Sequence, residues 1–160
     1  MSDMIPVETF RRELFDLLEE TFEKTQGIYL DRGGSLLETL ARLTASQASH
    51  AVSPKGATIA GHVEHMIFYL GVLTDCIQRK PIGELNWRDS WRTSTVTPAE
   101  WDALRAGLRE AYDDALNVMR GVESWEGEDD IGASLAILAH SASHLGAIHQ
   151  ALHGLPPPNG

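Results

Sequence analysis

The sequence predicts an all-α protein, a bundle of four long helices with one short extra helix. Apolar residues recur at spacings of three and four along four separate stretches. Helix start and stop signals bound those stretches. No segment shows sustained β-alternation between hairpin turns. At 160 residues the chain is long enough to bury a core without disulfides or structural metal. With no internal repeat or boundary, residues 1–160 read as a single domain.

The first helix is expected from about Val7 to Gln26, with Val7, Phe10, Leu14 and Leu17 on one side, Pro6 at its start and Gly27 at its stop. Asp31–Gly34 is a turn. Ser35, with Glu38 three places on, reads as a capping box opening a short helix that buries Leu36, Leu37, Leu40 and Leu43. Thr44–Gly56, with Pro54, is a connection. The next long helix spans about Thr58 to Arg79 and stops before Pro81; its seam is Ile59, Val63, Met66, Leu70, Leu73 and Ile77. Residues 81–97 form a long loop carrying Trp87 and Trp91. Thr97, Pro98 and Glu100 combine an N-cap, a first-turn proline and a capping box. The helix they start lines up Trp101, Leu104, Leu108, Ala111, Ala115, Met119 and Val122.

The last helix is expected from about Ile131 to His153, after an acidic loop (Gly127–Asp130) that suits its N-terminal dipole. Gly154 and Pro156–Pro158 close it. No Asp, Glu, Lys or Arg occurs from Ile131 to Leu155, a length that spans a bilayer. His140, His144, His149, His153 and Gln150 are costly in lipid, so the segment reads as the central, wholly buried helix of a soluble bundle and not as a membrane span.

Charge narrows the function classes. Asp and Glu outnumber Lys and Arg by 23 to 13, a net −10. That balance opposes a nucleic-acid partner, whose binding draws on basic side chains, and an anionic membrane surface. Cys76 is the only cysteine, so no intrachain disulfide forms and a cytoplasmic setting is expected. The N-terminus, with Asp3 and Glu8, does not read as a signal peptide.

Seven histidines are the chemical signal. His140 and His144 are four apart, so their rings leave one face of the last helix and suit a shared metal. They lie among Ala133, Ala136, Ala147 and Ala151, which leave room for an ion, while Ile131, Leu135, Leu138 and Leu145 form an opposite stripe. Both faces are therefore expected to be buried. A third ligand must come from another helix. On a wheel of about 100° per residue, His62 falls roughly 60° from the Ile59 seam and His65 roughly 120° from it. His62 is the expected ligand, with His65 as its supporting neighbour or rim. A histidine on an apolar face is more often a satisfied core residue than a ligand. Against that, burying three imidazoles without partners is expensive, and one ion satisfies all three. His149 and His153 repeat the spacing near the C-terminal end, where the helix dipole accounts for them. Glu64 points about 100° from His62. Cys76 reads as a small core residue, and Ser141 and Ser143 lack a base and orienter for a serine triad.

Ile59-Ala60-Gly61-His62-Val63-Glu64-His65, followed by Ala139-His140-Ser141-Ala142-Ser143-His144-Leu145-Gly146-Ala147-Ile148, resembles the DinB/YfiT-like superfamily over nearly the whole chain in helix order. The resemblance implies a four-helix bundle wound up-down-down-up. It implies a divalent metal held by residues matching His62, His140 and His144, and a homodimer; imidazole ligands leave the metal open among Zn, Ni and Fe. Characterised relatives are thiol-dependent transferases or isomerases that use low-molecular-weight thiols. Leu145-Gly146-Ala147 departs from the commoner Arg-Gly-Gln, which puts any role of that arginine or glutamine in doubt.

Three function classes follow. One is a metal-dependent enzyme, a thiol transferase or hydrolase acting on a small molecule, with an open position on a three-histidine metal. Another is a di-iron binding module, disfavoured because no histidine has Glu at plus four or minus three. The third is a non-catalytic helical metal-binding or dimeric interaction protein. A zinc protease is excluded at this pair, since Ser141 stands where H-E-x-x-H needs glutamate.

Overall fold

The computed structural model describes residues 4–53 and 56–155. Its helices are α1 (Val7–Phe22), α2 (Leu36–Ala41), α3 (Ala45–Ala48), α4 (Ile59–Ile77), α5 (Pro98–Arg120) and α6 (Asp130–His153), with a 3₁₀ turn at Trp87–Trp91. Among the described residues the only β pairing is an isolated bridge between Ala51 and Thr58. The chain is all-helical, as its periodicities predict. Pro54 and the Pro156–Pro158 stop lie outside the described residues.

The strongest start signal forms as written. Thr97 Oγ1 accepts the Glu100 N–H, and Glu100 Oε2 accepts the Thr97 N–H at 2.7 Å, with Pro98 in the first turn. The box expected at Ser35 does not close. Ser35 Oγ lies 2.9 Å from the Glu23 carbonyl and 2.7 Å from Glu38 Oε2, and caps no N–H of α2. A capping box does form at Thr44 and Gln47, which makes a helical turn, α3, inside the expected connection.

α1 ends at Phe22, a full turn before Gln26, because Glu20 draws the chain back. Its fully buried carboxylate accepts the N–H groups of Ile28, Tyr29 and Leu30 at 2.8–3.1 Å. Gly27, at φ +85°, makes the reversal that an L side chain would resist.

α4 is the enclosed helix, packed on both α5 and α6; α1 covers α6 and α2. Val63, Met66, Leu70 and Ile77 of α4 meet Leu108, Ala115 and Met119 of α5 and Ile137, Leu145 and Ile148 of α6 in one core. Each of these buried side chains other than that of Ala115 contributes about 1.5–3 kcal/mol. Phe22 stacks on Tyr112 at 4.1 Å, and the Trp101 indole N–H donates to the Leu43 carbonyl at 2.9 Å.

α6 departs from its expectation of full burial. Ala133, Ser134, Ile137, Ser141, Leu145 and Ile148 are buried, but Ile131 and Leu135 are 43% and 45% exposed, and Ala139, Ser143 and Gly146 also face out. The predicted stripe of Ile131, Leu135, Leu138 and Leu145 is thus split: its first two members face out, Leu138 is half-buried and Leu145 is in the core. Apolar residues all round this helix leave its wheel no polar side to mark the exterior. α6 is long and apolar enough by length and composition to cross a membrane, with a mean hydropathy of 1.4 over its most apolar stretch, of which 39% is buried within the structure.

Candidate metal centre

α4 and α6 face each other, and their histidines meet between them. His65, His140 and His144 each offer a ring nitrogen, and these three nitrogens lie within 4.8 Å of one another. The four-residue spacing puts the His140 and His144 rings on one face, and there their Nε2 atoms are 3.0 Å apart. His62 joins from the preceding turn of α4, with its Nδ1 2.7 Å from His144 Nδ1. Ring centroids separate by 5.1 Å for His65 to both His140 and His144, and by 4.9 Å for His62 to His144.

The structure therefore brings all four histidines together, but in a different order of depth from the wheel. His65 is buried, only 7% exposed, and His62 is half-buried. A wheel registers only the helix seam; His65 is covered by a segment outside it. Trp91 of the 3₁₀ turn stacks on the His65 ring at 4.1 Å and 16°, and sets its edge against His62 at 5.3 Å. Ser90 Oγ lies 2.7 Å from His65 Nδ1 and donates to the Trp87 carbonyl at 2.8 Å. On the other flank, Tyr69 stacks on His140 at 3.6 Å.

Local sequence positions that turn. The Arg88 N–H donates to the Asn86 side chain, which caps the 3₁₀ segment. The Thr93 N–H donates to Glu64 Oε2 at 2.8 Å, tying the chain back to α4; Glu64, pointing away from the rings, serves the loop. Gly61 permits the approach, since a Cβ there would stand 2.8 Å from the Thr93 carbonyl oxygen. Ser90, Trp91 and Tyr69 are absent from the sequence reading of the site. Tyr69 had a signal, being four residues after His65 on the same face. Ser90 and Trp91 had none beyond the length of their loop.

Among the described residues no carboxylate joins this group. Burial, and then the neighbouring imidazoles His140, His62 and His65, push His144 down to about 3. Burial and His65 push His140 down to about 4. Burial also lowers His62, with a contribution from His65, and it lowers His65. At neutral pH the rings are uncharged and carry the lone pairs a metal needs. Surface clefts of about 590 and 610 Å³ run along α4 and α5, past Arg79 and Asp130 and past Ile67 and Asp114, and contain none of the four histidines.

His149 and His153 stand apart. His149 Nε2 lies 3.3 Å from Thr39 Oγ1 of α2, and His153 is exposed in the last turn. Cys76 is half-buried on α4, about 16 Å along the helix from His65. Burial pushes its thiol up, with Asp129 and Asp75 adding to it. Comparison with protein-family models, with curated proteins and with solved structures finds no match to this chain.

Proposed function

We propose that the protein is a metal-dependent enzyme of the DinB/YfiT-like kind, a thiol transferase or hydrolase built on a three-histidine divalent metal site. One observation carries this reading: three imidazole nitrogens from two facing helices lie within 4.8 Å of one another. Nitrogens sharing a tetrahedral metal at about 2.0–2.1 Å stand about 3.3 Å apart, so small ring rotations bring the three into place. The group that best fits is His65, His140 and His144. The competing set is His62, His140 and His144, and it differs in one ligand of α4. Imidazoles accept Zn, Ni and Fe alike. Bound there, a divalent metal with three neutral ligands supplies Lewis acidity and lowers the pKa of a coordinated water or thiol.

The chain's own residues hold and shield that position. Trp91 covers one face of the His65 ring and Tyr69 one face of the His140 ring. The sole thiol, Cys76, is too far along α4 to attack a substrate at the histidines, which suits a thiol brought in as a cosubstrate. The up-down-down-up winding, the homodimer and the cytoplasmic setting belong to the same reading and rest on the resemblance and composition.

Elemental analysis of protein purified without a metal column tests the proposal, with one equivalent of metal per chain expected. Metal-dependent turnover of small electrophiles with low-molecular-weight thiols, or of activated esters with water, is expected to vanish in His140→Ala. Absence of metal uptake overturns the reading. Stoichiometric metal without turnover leaves the alternative, a non-catalytic metal-binding helical protein.

A further inference from the structure

The hydrogen-bond partners of the four rings separate the residues that would hold an ion from those that aim them. A serine hydroxyl has one proton, and that of Ser90 is committed to the Trp87 carbonyl at 2.8 Å. Toward His65 Nδ1, 2.7 Å away, Ser90 Oγ is therefore an acceptor. His65 must carry its proton on Nδ1, which leaves the Nε2 lone pair free. The Trp91 indole stacked on the ring holds its plane.

His144 has a nitrogen contact at each end, Nδ1 to His62 Nδ1 at 2.7 Å and Nε2 to His140 Nε2 at 3.0 Å. A neutral imidazole has one N–H and one lone pair. The chain His62–His144–His140 therefore runs in either of two directions while no ion is present. With an ion between His140 Nε2 and His144 Nε2, only one direction survives. His144 must then donate from Nδ1, and His62 must accept on Nδ1 with its own proton on Nε2.

We propose that Ser90 and His62 are positioning residues, Ser90 fixing the tautomer of His65 and His62 that of His144, so that the Nε2 atoms of His65, His140 and His144 converge on one divalent cation. This rests on the metal-site reading above. It reassigns His62 from ligand to acceptor, and it gives the Trp87–Trp91 turn a function, since that turn supplies the other acceptor. Partners of this kind set ring orientation and typically change metal affinity about 10–100-fold.

Long-range proton–nitrogen NMR on the ring-labelled, metal-free protein reads the tautomers directly. His65 is expected with its proton on Nδ1, and a proton on Nε2 overturns the Ser90 assignment whether or not any metal binds. Zinc titration of the same sample is expected to place the His62 proton on Nε2 and zinc on Nε2 of the other three; zinc on a His62 nitrogen overturns the His62 assignment. Competition with a zinc chelator supplies the second readout. Ser90→Ala is expected to weaken zinc about 10–100-fold and to release the His65 tautomer preference. His62→Gln, whose amide oxygen still accepts from His144, is expected to keep one equivalent of zinc and lose less affinity than His62→Ala. Loss of stoichiometric zinc in His62→Gln, with its helical signal intact, overturns the proposal. If the unaltered protein takes up no zinc at all, the metal reading falls, and the His65 tautomer still decides the role of Ser90.

Discussion

α6 carries two histidine pairs of identical spacing, His140 with His144 and His149 with His153, and the two have different fates. The first pair faces His62 and His65 of α4, closes to 3.0 Å between its Nε2 atoms, and takes up protons only well below the usual imidazole range. The second lies a turn beyond: His149 turns to Thr39 of α2, and His153 is exposed. Spacing along one helix offers two rings on a face, and only the helix opposite decides whether they become a site. α4 supplies nitrogen to the first pair; α2 supplies a hydroxyl to one ring of the second.

The largest expected effect separates the two pairs outright. His140→Ala or His144→Ala should abolish stoichiometric metal binding, whereas His149→Ala and His153→Ala should retain it, as read by elemental analysis alongside circular dichroism. Equal loss from both pairs would make the contrast meaningless.

Next in size is the division of labour on α4. His65→Ala should lose metal almost entirely, and His62→Ala should lose about 10–100-fold in affinity, measured by chelator competition. The reverse order would restore His62 as the ligand.

A pH effect follows from the first pair in the metal-free protein. Unfolded imidazoles take up protons near 6.5, but folded His140 and His144 do so only near about 4 and about 3. Between those values the unfolded chain binds more protons, so the stabilisation is complete above about pH 6.5 and is lost progressively as the pH falls. Urea unfolding at pH 7 and pH 5 should show the drop, and His144→Gln should shrink it. A pH-independent midpoint would contradict the burial of these rings.

The smallest effect belongs to the second pair. His149→Ala removes one hydrogen bond to Thr39 and should cost about 0.5–1.5 kcal/mol in urea unfolding, without change in metal content.

Much of this was legible in the sequence where a signal was local. Thr97, Pro98 and Glu100 set the start of α5 because every group in that cap lies within three residues. His140 and His144 were legible for the same reason. The early end of α1 was not, because it depends on Glu20 meeting N–H groups eight to ten residues away. The exposed side of α6 was hidden by its own composition, since Ile131 and Leu135 look like core until the absence of a covering helix is known. The depth of His65 was out of reach for a third reason: the wheel of α4 holds no information about Ser90 and Trp91, which arrive from a loop some 25 residues later. Helix starts were local, helix faces half-local, and the roof over the site wholly non-local.

The four tryptophans fall into two populations. Trp101 and Trp125 are 2% and 4% exposed in the core, whereas Trp91, 38% exposed, lies against the histidines and Trp87, 44% exposed, lies against Phe68 and Tyr69. Indoles in the two settings emit at different wavelengths, blue from the apolar interior and red from the wet rim. Trp91 also stacks on the His65 ring, so its emission reports on that ring's surroundings. The molecule thus carries its own optical label on the site and a separate one on the core, and a single emission spectrum resolves an event at the histidines from the loosening of the core.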